Sequence, residues 1–279
     1  MRIERGLVAV ITGAAGGIGH GLAQEAGARG LRLVLSDVDG QRLAALVDNL
    51  QGQGVEVAGL AADVGDPAQL DALRDLAVQR FGGVDLLFNN AGVMQTGFSW
   101  EIDAARWQSL LAINLGGVIN GIRSFMPLLL GQQRPAQVIN TASLAGLVCS
   151  PMLGPYTVSK QAVVALSETL HYELAALQSQ VSAAVLCPGP VASEIMASNQ
   201  ASNQASNQAA GEATGQLDAL LDSSIRQGMD PRALACEVFA GIEAGRFWLL
   251  PHKNFKPALE RRLNSILEET NPVFEMADA

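Results

Sequence analysis

Cysteine is scarce in this chain. Its three residues among 279, Cys149, Cys187 and Cys236, are odd in number, widely spaced and without a CxxC pair. That excludes a disulfide framework, and the three are expected to be buried thiols in a reducing compartment. Histidine is equally sparse. His20, His171 and His252 have no second ligand at helical spacing, so they read as ordinary side chains and no metal is expected. Charge is in short supply as well: charged residues make up 16% of the chain, the net charge is −9, and Lys and Arg form no cluster. This excludes recognition of a nucleic-acid backbone, which needs clustered cations. Long apolar runs are missing too. The longest, near residues 125–130, is too short to span a bilayer and contains Pro127. Residues 1–6 are charged and lead straight into a strand, with no signal-peptide pattern. A soluble, cytoplasmic protein with neither membrane nor nucleic-acid partner is the expectation.

What the chain has in quantity is apolar surface: 49% of its residues are hydrophobic, which suits a core buried on both faces of a sheet. Short, near-continuous apolar runs at residues 7–12, 31–36, 55–60, 84–89, 137–141, 181–187 and 247–250 predict strands. Between them, residues 17–29, 41–51, 67–81, 104–130, 156–177 and 231–244 predict helices. Asp66 before Pro67 and Asp230 before Pro231 are N-cap and first-turn signals. The alternation predicts an α/β fold, a Rossmann-type doubly wound parallel sheet of about seven strands with helices on both faces. One such unit over residues 1–279 is expected. One segment breaks the pattern. Ser-Asn-Gln-Ala occurs three times at residues 198–209, inside a stretch from about 190 to 228 that lacks a strand. It reads as an expanded loop within a lid, the repeat itself carrying no chemistry. The tail, 252–279, holds an amphipathic stretch at 257–269, expected to pack on the body or on a neighbouring subunit.

The first strand runs into Thr12-Gly13-Ala14-Ala15-Gly16-Gly17-Ile18-Gly19, which opens the first helix. Gly13 permits a tight turn; Gly17 and Gly19 let backbone approach a pyrophosphate and helix approach strand. The helix N-terminus then offers N–H groups and a favourable dipole to phosphates. Asp37 ends the second strand, where a carboxylate accepts from the adenosine ribose hydroxyls and repels a 2′-phosphate. Val38 follows it, the glycine loop has no Arg or Lys, and Arg32, at the strand's start, is read as the only basic residue near. NAD is therefore expected in preference to NADP. Asp63-Val64, after the third strand, either bonds an adenine amino group or caps a turn. Asn89-Asn90-Ala91-Gly92 ends the fourth strand in the same plane, small enough for a cofactor to lie against backbone.

Tyr156 and Lys160, four apart at the start of a helix, share one face. A tyrosine is a poor base at neutral pH, but a neighbouring ammonium and the charge of an oxidised nicotinamide lower its pKa. Ser143, after the fifth strand, can hold a substrate oxygen. Asn114 stands mid-helix between apolar neighbours, which is unfavourable unless its side chain has a task. Cys187-Pro188-Gly189-Pro190-Val191 closes the sixth strand, where it can cover the nicotinamide.

In this order, these motifs resemble the short-chain dehydrogenase/reductase family over residues 7 to about 195 and the final strand. The resemblance implies that Tyr156 is the acid/base and that Ser143 positions and polarises the carbonyl. It implies that Lys160 binds the nicotinamide ribose and lowers the tyrosine pKa, and that Asn114 supports a water relay. It places Gly13, Gly17, Ile18, Gly19, Asp37, Asp63, Val64, Asn90, Ala91, Gly92, Pro188, Gly189, Val191 and Ser193 against the cofactor. Ser193 stands where the family usually has Thr, with the hydroxyl retained. A homodimer or homotetramer is implied too. A looser likeness, in the segments NLGGVINGIRSFMP and LGPYTVSK, is to bacterial enzymes acting on bulky aromatic secondary alcohols. Met94, Gln95, Leu144, Met152, Leu153, Ile195 and Met196 are candidate substrate contacts, mostly apolar, so a hydrophobic substrate is expected. A silent dinucleotide-binding sensor would typically have lost Tyr156 or Lys160, and Asp37 opposes an NADPH-dependent reductase.

Overall fold

The computed structural model describes residues 1–196 and 212–274. Among them, seven strands form one sheet: β1 (Val8–Thr12), β2 (Arg32–Asp37), β3 (Val57–Ala61), β4 (Leu86–Asn89), β5 (Ala136–Thr141), β6 (Val181–Leu186) and β7 (Trp248–Leu249). Their order is β3-β2-β1-β4-β5-β6-β7, with every neighbouring pair parallel. The helices are α1 (Gly17–Ala28), α2 (Gly40–Gly52), α3 (Pro67–Phe81), α4 (Ala104–Leu111), α5 (Gly117–Gly131), α6 (Gly154–Ala176), α7 (Glu212–Arg226), α8 (Pro231–Glu243) and α9 (Lys256–Leu267).

Successive strand residues point to opposite faces, and here both faces are apolar. Ala9 and Ile11 of β1 join one core cluster while Val10 joins the other; in β4, Leu86 and Phe88 part from Leu87 in the same way. α1 and α8 cover the first face, and α3, α5 and α6 the second. Each fully buried Leu, Ile or Val contributes about 1.5–3 kcal/mol, so the register leaves no freedom for a one-residue slip. Strand order reverses between β1 and β4. The crevice at that reversal, beyond the strands' carboxyl ends, is where such sheets bind ligands.

Four differences from the sequence reading have physical causes. The helix expected at 104–130 contains a π-helical turn, Ala112–Gly116, between α4 and α5. That turn is where Asn114, fully buried, is placed. The whole helix, Ala104–Gly131, has the length to cross a bilayer and its most apolar 18-residue window has a mean hydropathy of 1.2, although its longest apolar run is too short. Half of its most apolar window is buried, with Phe125, Met126 and Leu129 in the second core cluster. α7 lies in the stretch read as strandless lid, and its amphipathic pattern was hidden beside the repeat; residues 198–209 fall outside the described residues. Of the three thiols expected to be buried, Cys187 is, but Cys149 and Cys236 are exposed. Cys149 follows a surface turn and accepts from Gln161 Nε2 at 3.1 Å; Cys236 lies on the outer side of α8. The tail packs on the body: Phe255 is buried against the region around Val163 and Val185, and Arg262 donates to the Leu147 carbonyl at 3.1 Å.

Candidate active site

A cleft of about 590 Å³ opens at the strand-order reversal. Its first wall is the glycine loop. Gly13 has φ +62°, and a Cβ there would lie 2.7 Å from the Ala91 Cα, so only glycine fits both the backbone and its neighbour. Gly19 does not face the cleft; a Cβ on it would lie 2.0 Å from the Gly13 carbonyl oxygen, so its smallness sets how closely α1 packs on β1. Thr12, absent from the expected site residues, ties this loop to the end of β4. Its hydroxyl accepts from the N–H groups of Asn90 (2.9 Å) and Ala91 (3.1 Å), and Asn90 Nδ2 donates back to the Thr12 carbonyl at 3.0 Å. α1 starts at Gly17 with no side-chain cap and no acidic residue in its first turn. Its N–H groups and dipole therefore suit an anionic ligand, and a pyrophosphate fits this donor set.

Asp37 stands at the adenosine end of the cleft. Its Oδ2 accepts from Ala15 N–H at 2.9 Å and its Oδ1 from Asp39 N–H at 3.0 Å, which couples β2 to the glycine loop. Asp63 and Val64 line the same end. Asp63 Oδ1 caps a turn by accepting from Gly65 N–H at 2.8 Å, while the residue as a whole stays exposed to the cleft. One basic residue went unnoticed in the sequence. Arg42, in the first turn of α2, lines the cleft and lies 3.4 Å from where a Cβ on Gly16 would be. Its Nη1 is 2.6 Å from Glu194 Oε2.

The residues expected to carry chemistry lie at the other end. Tyr156 is buried, and the half-buried Ser143 lies beside it in the cleft. Ser143 sits at the end of β5 and accepts from Ala145 N–H at 3.2 Å. Lys160 Nζ donates to the Thr141 carbonyl at 3.0 Å and lies 5.7 Å from the Tyr156 ring centroid. Burial pushes Tyr156 up, opposed by the neighbouring Ser143 hydroxyl, and lowers Lys160 to about 8. Lys160, expected to lower the tyrosine, does not do so here. In the chain alone desolvation prevails, because the ammonium is directed to a carbonyl. Asn114 Nδ2 donates to the Val93 carbonyl (2.9 Å) and to Ser159 Oγ (3.1 Å), and its Oδ1 accepts from Val93 N–H at 2.8 Å. The π turn, β4's exit and α6 are thereby joined. Gly92 lets the backbone pass close to Asn114 Oδ1 and Lys160 Nζ, each 3.3 Å from where a Cβ would sit, so a side chain there would crowd both.

Pro188, Gly189, Val191 and Ser193 line the opposite wall, and Gly17, Ile18, Asn90 and Ala91 complete the cofactor side. Of the expected substrate contacts, Met94, Leu144, Leu153 and Ile195 face the cleft. Gln95, Met152 and Met196 do not. Gln95 is buried and bonds the Thr96 carbonyl; Met152 adopts φ +58° in a turn; Met196 is buried among Met94, Leu110, Leu153, Tyr156 and Ile225. α7 supplies contacts that the sequence did not suggest: Leu221, Ser224 and Ile225 line the cleft. Thr96 Oγ1 donates to Asp218 at 2.5 Å and pins that helix.

The family profile for short chain dehydrogenases matches residues 7–205. A crystal structure of a short chain dehydrogenase/reductase from Burkholderia phymatum, in complex with NAD, superposes with a TM-score of 0.94 at 38% identity, covering 99% of each chain. A "CLA biosynthesis dehydrogenase/reductase" of Lactiplantibacillus plantarum is 31% identical over 97% of this chain and 96% of its own length. A "C alpha-dehydrogenase" of Sphingobium sp. strain SYK-6 is 27% identical over 95% of this chain and 87% of its own.

Proposed function

The chain belongs to the short-chain dehydrogenase/reductase family of nicotinamide-dinucleotide oxidoreductases, and from that premise we propose that it interconverts a hydrophobic secondary alcohol and its ketone with NAD. The observation that carries this reading is the placement of a buried Tyr156 beside Ser143, with Lys160 one helical turn on, in the cleft that the glycine loop also lines. A bound nicotinamide dinucleotide supplies the ring that exchanges the hydride. The chain's own part is binding, orientation and proton movement.

In the oxidative direction Tyr156 Oη takes the substrate's hydroxyl proton, and Ser143 Oγ donates to the same oxygen as it becomes a carbonyl. Burial opposes a phenolate, and the positive charge of a bound oxidised nicotinamide, together with Lys160, would offset it. Asn114, whose Oδ1 stands with Lys160 Nζ beside Gly92, would support the water relay that carries the proton onward. Gly13, Gly17, Ile18 and the Pro188–Val191 loop hold the dinucleotide, with Asp37 on the adenosine ribose. Preference for NAD rests on Asp37, and Arg42 does not reverse it because Glu194 already engages its guanidinium at 2.6 Å. The relative from Burkholderia phymatum, seen with NAD, is consistent with that choice. Met94, Leu153, Ile195, Leu221 and Ile225 make the substrate end apolar, which favours an aromatic or steroid-like alcohol. The working protein is a cytoplasmic homodimer or homotetramer of one unit spanning residues 1–279, with 190–228 as its substrate lid.

Purified protein is mixed with NAD or NADP against a panel of aliphatic, aryl and steroidal secondary alcohols, following reduced nicotinamide by absorbance. Turnover with NAD that Tyr156→Phe abolishes is expected. Turnover with NADP alone overturns the cofactor assignment. Tight NAD binding without turnover on any alcohol favours a sensor.

A further inference from the structure

Between Cys187 and Val191 the chain has a single backbone N–H, that of Gly189, because residues 188 and 190 are prolines. A loop with one donor depends on what meets it. Here Gly189 N–H donates to His252 Nδ1 at 3.0 Å, and His252 Nε2 lies 3.0 Å from the Pro190 carbonyl oxygen. A carbonyl only accepts, so Nε2 bears the proton; an N–H only donates, so Nδ1 is bare. One neutral tautomer satisfies both partners. The ring also lies against the loop, for a Cβ on Gly189 would sit 3.0 and 3.1 Å from two of its carbons. The remaining loop bonds come from elsewhere: Leu144 N–H to the Pro188 carbonyl (2.9 Å) and Met229 N–H to the Pro190 carbonyl (3.0 Å). His252 itself is anchored, since it follows β7 and precedes the buried Phe255.

We propose that His252 is a positioning residue that, as its neutral Nε2–H tautomer, holds Pro188–Val191 in the shape that lines the dinucleotide cleft and lets go when protonated. The inference rests on the assignment of that cleft to NAD. A proton on Nδ1 would set two N–H groups against each other, and Gly189 would lose its partner. Burial lowers the imidazole pKa while the Pro190 carbonyl raises it, so the neutral form prevails near neutrality. The surrounding elements do not change this. The loop and the turn Leu144–Gly146 bring apolar side chains, His252's own segment brings Lys253, and Glu194 beyond the loop pairs with Arg42. Cys187, at the foot of the loop, has its thiol pushed up to about 12 by burial.

The two ring nitrogens are separable by substitution. Asn places an oxygen near Nδ1 and so keeps the Gly189 bond; Gln places its amide nitrogen near Nε2 and keeps the Pro190 bond. NAD affinity is measured by calorimetry on the full chain from about pH 5.5 to about pH 8, with thermal unfolding of each variant to verify folding. Wild type is expected to bind at least about threefold more weakly at the acid end, the part of one lost hydrogen bond that the protonated fraction of a lowered imidazole exposes there. His252→Asn should bind like wild type at the upper end and show a flat profile. His252→Gln should bind about tenfold more weakly throughout. Binding by His252→Gln equal to wild type, or an acid loss retained in His252→Asn, overturns the proposal; the latter would assign the titration to another group, such as His20 on α1. Absence of NAD binding by wild type at any pH instead sinks the assignment of the cleft, and the proposal with it.

Discussion

Replacing Asn114 by Ala removes three hydrogen bonds at a point that solvent does not reach. Ser159 Oγ keeps its bond to the Tyr156 carbonyl at 2.7 Å, but the N–H and C=O of Val93 lose their partner side chain. Each buried orphan costs about 1–3 kcal/mol, offset by roughly 0.5 kcal/mol of better helix propensity for Ala. The net loss is about 2–5 kcal/mol, and for a domain of this size Tm should fall by about 5–15 °C. Because Val93 follows Gly92 at the exit of β4, turnover should fall further than the folded fraction. Differential scanning calorimetry on the cofactor-free protein measures the first effect. Ser159→Ala supplies the control: it removes one of the three bonds, so its Tm loss should be smaller, and the double variant should lose less than the two singles together. A Tm within about 2 °C of wild type for Asn114→Ala, or strict additivity with Ser159→Ala, would refute the view that this amide joins the π turn to β4 and α6.

Two further outcomes follow from the same geometry. Burial lowers Lys160 from 10.5 to about 8, so the folded pKa lies below the unfolded one, and the stability tied to its neutral form is complete above about pH 10.5 and lost as pH falls towards 8. Lys160→Met should therefore abolish turnover yet raise the Tm of the cofactor-free protein by a few degrees at about pH 7, the gain vanishing near pH 10.5; a lower Tm at neutral pH would contradict a costly buried ammonium. Asp37→Ala frees the N–H groups of Ala15 and Asp39 and removes the charge that repels a 2′-phosphate. Steady-state kinetics should show the NAD to NADP preference falling by at least about tenfold, on the order of 1.4 kcal/mol, and an unchanged ratio would refute Asp37 as the discriminator.

Most of the framework was legible because it rests on local rules. Two-faced apolar strands announce a parallel sheet, and the six sequence-predicted helices reappear with ends moved by a residue or two. Asp66 and Asp230 cap α3 and α8 as their pairing with a following proline suggested. Gly13 and Gly19 could be read as tight-packing positions because no other residue fits a loop that returns so sharply onto its own strand. The substrate end was less legible. Met152 and Met196 are apolar and adjacent to the motifs, yet a left-handed turn removes one from the cleft and the core takes the other. A side chain's direction there depends on the packing of α6 and α7, which spacing along the chain does not encode. α7 itself was missed because the polar repeat beside it masked its period.

Periodicity by itself determined the fold class, the order of the motifs carried the resemblance to the family, and the four-residue spacing of Tyr156 and Lys160 put those two on one helix face. Tertiary structure alone decided four other things: the π turn that buries Asn114, the direction of the Lys160 ammonium, the Arg42–Glu194 contact across 152 residues and the His252 clamp on Gly189 across 63. Each joins groups far apart in sequence through hydrogen bonds of fixed direction, and such directions exist only once the sheet has set its strands side by side.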